Sequence, residues 1–175
     1  MMPFLDQDSV NVDHMISVNI AVITRLTHAF LPQMKRRGRG AIINISSVAS
    51  LQPMPYIAVY AATKHYIHAF TEALRYENKD SGVTIQEVTP GAVDTALTRH
   101  LPHSRFNLRA LPAQFVYSAL ETLGYSSQTC GWWPHSLQLV ALQCIPGVVS
   151  RWGMRRALKY TYDVIIRNLE NRKRK

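Results

Sequence analysis

The sequence predicts an α/β fold organised as a doubly wound parallel sheet, because two short apolar runs are separated by a long stretch of helical periodicity. Residues 41 to 45, Ala-Ile-Ile-Asn-Ile, are bounded by glycine and serine, the pattern of a strand buried on both faces of a parallel sheet. Residues 83 to 88 form the next strand and run into Pro90-Gly91. Between them, residues 58 to 78 read as a long helix in which Ala61, Ala62, Ala69 and Ala73 supply small contacts that admit a neighbouring helix. A hydrophobic fraction of 47% over 175 residues suffices for the core of one domain and argues against disorder.

The remaining elements follow in chain order. Residues 10 to 34 carry apolar positions at helical spacing (Met15, Val18, Val22, Leu26, Phe30), and Pro32 is expected to help end the pattern. Gly38-Arg-Gly40 supplies a helix stop and turn before the first strand. Residues 48 to 57, with Pro53 and Pro55, form a loop past that strand. Residues 98 to 112, with Arg99, His100, His103, Arg105 and Arg109, have the composition of a mobile lid. Pro112 opens a helix to residue 123, as proline does at a first turn. Gly131-Trp132-Trp133 reads as the last strand, followed by two helical stretches. The apolar residues 137 to 149 are interrupted by Gln138, Gln143, Pro146 and Gly147, which gives a core or interfacial helix stopping near Pro146. No run reaches the roughly 20 apolar residues of a membrane span.

The chemistry concentrates in Val59-Tyr-Ala-Ala-Thr-Lys64. A phenol titrates near pH 10 and needs a nearby cation before it serves as an acid or base at neutral pH. Lys64, four residues along the same helix face, supplies one. A lone Tyr-x-x-x-Lys pair carries little weight in a chain with eight tyrosines. Three further features add weight: Asn19 upstream in the first helix, Ser47 thirteen residues before the tyrosine, and Pro90-Gly91-Ala-Val-Asp-Thr95 after the second strand. Ser46 and Ser47 both fall at the carboxyl end of a strand, where open α/β sheets place ligands; Ser46 reads as a turn residue. An asparagine in mid-helix is otherwise a plain surface residue. His65, His68 and Glu72 share a helical face, but without a further ligand set they read as surface or packing residues, and no metal is expected.

In these motifs the chain resembles the short-chain dehydrogenase/reductase family over nearly its whole length. The resemblance implies a Rossmann-like doubly wound sheet and a catalytic set of Asn19, Ser47, Tyr60 and Lys64. Asn19 would open its helix and hold a relay water, and Lys64 would lower the Tyr60 pKa and hold the nicotinamide ribose. Pro90, Gly91, Val93 and Thr95, with Tyr60 and Lys64, would contact the cofactor, NADP(H) in preference to NAD(H). Phe115-Val-Tyr-Ser-Ala-Leu-Glu-Thr-Leu-Gly124 and Thr129-Cys-Gly-Trp-Trp-Pro-His135 are similar to the steroid dehydrogenase branch, which includes 17-beta-hydroxysteroid dehydrogenases, very-long-chain 3-oxoacyl-CoA reductases and hydroxysteroid dehydrogenase-like proteins. That branch implies a lipid-like carbonyl substrate, a homodimer through the Tyr60 helix, and the cytosolic face of the endoplasmic reticulum membrane, with the mitochondrion as the alternative. Some of its members resemble pseudoenzymes, so a non-catalytic scaffold is the alternative function.

The family's opening strand, its Gly-rich turn and the Asn-Asn-Ala-Gly segment have no counterpart in these residues, so the sheet is expected to be incomplete, lacking the N-terminal nucleotide-binding strands. The expected division is a catalytic part over residues 1 to 150 and a basic helix and tail over 151 to 175. Net charge is +9, and +7 of it lies in the last 25 residues, where nine Lys and Arg face only Asp163 and Glu170. Such an end suits a membrane surface or the phosphates of an acyl-CoA, or is a plain solvated helix. Nucleic acid is not an expected partner, because no recognition motif accompanies the charge. Cys130 and Cys144 have neither metal-type spacing nor the density of a disulfide scaffold, and Cys144 reads as core.

Overall fold

The computed structural model describes residues 1–98 and 108–173. The lid positions Arg99, His100, His103 and Arg105 lie outside the described residues. The chain begins with helices α1 (Ser9–Ile16) and α2 (Ile23–Arg37), joined without a break by a π-helical turn (Ser17–Val22). Strand β1 (Gly40–Ile45), helix α3 (Ala58–Glu77) and strand β2 (Val83–Val88) follow. Next come β3 (Ala92–Val93), β4 (Arg109–Ala110), α4 (Pro112–Glu121), β5 (Gln128–Thr129), α5 (Trp133–Gln143) and α6 (Gly147–Lys173).

The main sheet has the order β1-β2-β5 and all its pairs are parallel. A parallel pair needs a crossover, and α3 provides it between β1 and β2. Side chains alternate across the sheet and so assign its faces. Asn44 and Glu87 point to α3, where Asn44 Nδ2 donates to Thr71 Oγ1 at 2.9 Å and Glu87 meets His68. Gln86 points the other way and donates to Thr122 Oγ1 beyond α4, also at 2.9 Å. Helices therefore cover both faces, as a doubly wound sheet requires.

Cover on the α4 face is partial. Ile43, Ile45, Gln86 and Val88 line an apolar groove of about 240 Å³ with Phe115, Val116, Ala119 and Leu120. Ile45 remains 45% exposed, so β1 is not buried on both faces as its composition suggested. The composition is that of a fully covered strand, but among the described residues only α4 lies over this face of the sheet.

Other expectations shift with reasons of the same kind. Pro32 sits inside α2 and the helix runs on to Arg37, because Gly38, at φ +63°, provides the left-handed cap that ends it. The continuous helix Ser9–Arg37 contains a window with mean hydropathy 1.3 and is long and apolar enough to cross a membrane by length and composition. The sequence reading missed this because polar residues such as Asn19 and Thr24 interrupt every apolar run. Gly131-Trp132-Trp133 is not the last strand. The strand that joins β2 is Gln128–Thr129, Gly131 takes φ +70° and Trp133 starts α5. Leu137 and Val140 on α5 are exposed, as is Cys144, so this stretch is not core. The division expected after residue 150 falls inside α6, which starts at Gly147.

Candidate active site at the carboxyl ends of β1 and β2

Parallel strands end together, and here the ends of β1 and β2 are locked to each other. Ser46 N–H donates to the Val88 carbonyl at 2.8 Å, and Val48 N–H donates to the Pro90 carbonyl at 3.0 Å. The Ser47 loop and the Pro90-Gly91 loop thus leave the sheet side by side, in the position where open α/β sheets bind ligands.

Ser47 is buried and caps a short 3-10 turn (Val48–Ser50), with its Oγ accepting the Ala49 N–H at 3.1 Å. That contact uses a lone pair of the hydroxyl, and its hydrogen remains to be donated elsewhere. The neighbouring Ser46 does more than turn the chain: its buried Oγ donates to the Lys64 carbonyl at 3.0 Å and ties α3 to the end of β1.

Tyr60 and Lys64 sit one turn apart on α3, both part-buried. The Lys64 Nζ lies 5.7 Å from the centre of the Tyr60 ring, within cation–π range, and donates to the Ile45 carbonyl at 2.9 Å. Burial pushes the Lys64 ammonium below its ordinary value of 10.5. Among the described residues no hydrogen bond joins Ser47 directly to Tyr60. The two are linked through Ser46 and the backbone of α3.

Asn19 stands in the π-helical turn, where the helix is widened by one residue. Its Nδ2 donates to Thr63 Oγ1 at 3.1 Å, and Thr63 Oγ1 donates to the Tyr60 carbonyl at 2.8 Å. A second bridge of 2.7 Å between Thr24 Oγ1 and the Tyr66 hydroxyl holds the same two helices together. Asn19, Tyr60 and Lys64 therefore belong to one connected network.

Past β2, Gly91 N–H donates to Nδ1 of the buried His135 at 3.3 Å, and Nε2 of that ring lies 3.1 Å from the Leu108 carbonyl. A Cβ on Gly91 would approach the His135 ring to 2.8 Å, so glycine is required by the histidine packed on it. Val93 lies in β3, which pairs with β4. Thr95 N–H donates to Thr98 Oγ1 at 3.1 Å, and the Val93 carbonyl accepts from the same hydroxyl.

Ser46, Thr63 and His135 are the residues that motif reading passed over. Their signals were present: Ser46 is adjacent to Ser47, Thr63 is one turn beyond Tyr60, and His135 closes the Trp-Trp-Pro-His run.

Comparison with known proteins bears on the family and the fold. The family model described as short chain dehydrogenase matches residues 1–105. The chain is 36% identical over 140 residues to "Inactive hydroxysteroid dehydrogenase-like protein 1" of Homo sapiens, covering 79% of this chain and 42% of that protein. It is 34% identical over 159 residues to "17-beta-hydroxysteroid dehydrogenase type 3" of Rattus norvegicus, covering 90% of this chain and 51% of that protein. The chain thus spans about half the length of the curated relatives it matches. A solved short chain dehydrogenase from Burkholderia cenocepacia J2315, in complex with NADP, superposes with a TM-score of 0.64 at 28% identity, covering 74% of this chain and 55% of that one.

Proposed function

The chain belongs to the short-chain dehydrogenase family, and we propose that it is the catalytic part of an oxidoreductase that reduces a lipid carbonyl, a steroid ketone or a 3-oxoacyl-CoA, or oxidises the matching alcohol. The observation that carries this reading is the Lys64 ammonium poised over the Tyr60 ring beside a buried serine hydroxyl, at the shared end of two parallel strands. The steroid or acyl character of the substrate rests on the names of similar proteins, of which one is a 17-beta-hydroxysteroid dehydrogenase.

The residues present fit the nicotinamide-ribose end of a dinucleotide, while the phosphate-binding turn has no counterpart among them. The Lys64 ammonium has three donors, and the Ile45 carbonyl takes one of them. Tyr60, Pro90, Gly91, Val93 and Thr95 would supply the remaining contacts to that end of the dinucleotide. We favour NADP(H), because a similar solved structure holds NADP. The cofactor, when bound, supplies or accepts the hydride. The proton falls to this chain. Ser47 directs its unused hydrogen at the carbonyl oxygen, and Tyr60 gives that oxygen its proton. Lys64 favours the phenolate left behind, and Asn19, widening its helix, holds the route for resupply.

A non-catalytic reading is favoured by one observation, the word inactive in the name of a relative at 36% identity. The complete coding sequence should be expressed and its NADPH oxidation followed with estrone and with a 3-oxoacyl-CoA. Turnover that vanishes in Tyr60→Phe while the fold persists supports catalysis. Full activity in Tyr60→Phe would refute the assignment, and NADPH binding without turnover in the wild type would establish the scaffold.

For partners, we propose a second copy of the chain on the face of α3 that exposes Ala62, Ala69, Ala73 and Tyr76, continued by Val18, Val22, Leu26 and Phe30 on the preceding helix. We also propose that α6 lies on an anionic membrane surface, which we assign to the endoplasmic reticulum. Its exposed Val148, Val149, Trp152 and Tyr160 stand among Arg151, Arg155, Arg156 and Lys159, and Arg156 stacks over Trp152 at 4.7 Å.

A further inference from the structure

Helix α3 carries a second group of polar side chains, one turn beyond Lys64. His68 and Glu72, four residues apart, stand on one helix face. In sequence they lack a third donor, and folding supplies it. Glu87, on the face of β2 turned to α3, is fully buried. Its Oε2 lies 2.8 Å from His68 Nδ1 and 3.1 Å from Gln128 Nε2. Its Oε1 is also buried and has no hydrogen-bond partner. Donor atoms of His68, Glu72 and Glu87 all lie within 4.8 Å of one another.

We propose that His68, Glu72 and Glu87 bind a divalent transition-metal ion of the zinc class. A carboxylate removed from water is costly unless its charge and both oxygens are compensated. Here Glu72 and Glu87 bring two negative charges, and Arg75, paired with Glu72, brings one positive charge. One negative charge is left over, and it lies beside a bare carboxylate oxygen and an imidazole nitrogen. An imidazole with two carboxylates suits zinc, whose ligands sit at about 2.0–2.2 Å, and small side-chain rotations would draw the three donors to that distance. The Gln128 amide donates to Glu87 Oε2, as an outer partner of a metal ligand does. His68 and Glu72 are part-exposed and offer the ion its way in, with a water completing the set.

The site does not depend on the dehydrogenase reading, and its test needs no turnover. The 175-residue chain, stripped with a chelator, is titrated with Zn²⁺ by calorimetry and with Co²⁺ by visible absorption. One ion per chain is expected, with a cobalt spectrum of nitrogen and oxygen ligation that lacks the thiolate charge-transfer band. Binding should persist in the Cys130→Ser/Cys144→Ser variant, weaken at least tenfold in Glu72→Gln and disappear in His68→Ala. These two positions are part-exposed, so their variants should fold, which circular dichroism verifies. Saturable binding unchanged by His68→Ala, a thiolate band, or no saturable binding at all would each overturn the proposal.

Discussion

The amide of Gly91 is held by Nδ1 of His135 at 3.3 Å, so the loop that leaves β2 is fixed by a ring from α5, more than forty residues along the chain. The same ring reaches the Leu108 carbonyl through Nε2, which places its proton on that nitrogen. His135→Ala leaves both backbone groups without their partner and should cost about 0.5–1.5 kcal/mol per hydrogen bond lost, because Gly91 is only part-buried and Leu108 is exposed. Gly91→Ala drives a Cβ into the ring and should cost about 1–3 kcal/mol. The two costs share one contact. Urea denaturation of the double variant should therefore show less than their sum, and strict additivity would remove His135 from this role.

The pH dependence of Lys64 follows from its burial. Its folded pKa is lowered, so between that value and 10.5 the unfolded chain holds a proton that the folded chain has released. Stability contributed at this site therefore rises with pH across that window, and below it the cost of the buried ammonium is fully present. Denaturation midpoints of the wild type and of Lys64→Met, compared from neutral pH to 10.5, should show the wild type gaining on the variant. Under the proposed function, activity should move the opposite way, because Tyr60 loses its cation over the same range. A wild type that gains nothing on Lys64→Met would contradict the burial.

Elements whose pattern is local were legible in the sequence. Residues 83 to 88 form β2 as expected, and α3 ends one residue short of the expected limit, because strand and helix periodicities there are long and unbroken. The spacing of Tyr60 and Lys64 on a helix likewise placed the two side chains together. What could not be read depends on partners distant in sequence. β5 is two residues long and is defined only by its pairing with Glu87 and Val88. Glu87 resembles any polar residue in a strand until α3 lies over it, and Ile45 reads as core until the sheet shows which face is left open.

Asn19 and Thr63 join the first helix to α3 directly beneath Tyr60. Asn19→Ala removes the donor, and Thr63, which is buried, keeps its bond to the Tyr60 carbonyl. The expected loss is about 0.5–1.5 kcal/mol by denaturation, the usual worth of one hydrogen bond. Under the proposed function, turnover should fall further than stability does, because the widened turn at residues 17 to 22 serves proton resupply. A variant with unchanged turnover would assign Asn19 to helix packing alone.

The two thiols should differ in reactivity. Burial raises the Cys130 pKa above its ordinary value, so its thiolate is scarce at neutral pH, while Cys144 is exposed where α5 ends. The thiolate is the nucleophile; burial makes it scarce at Cys130, and access favours Cys144. Limited alkylation with iodoacetamide at neutral pH, read by peptide mass spectrometry, should label Cys144 first, and Cys130 should follow only as the pH rises or urea opens the fold. Equal labelling of both in the folded chain would show that the segment between β5 and α5 is not packed as described.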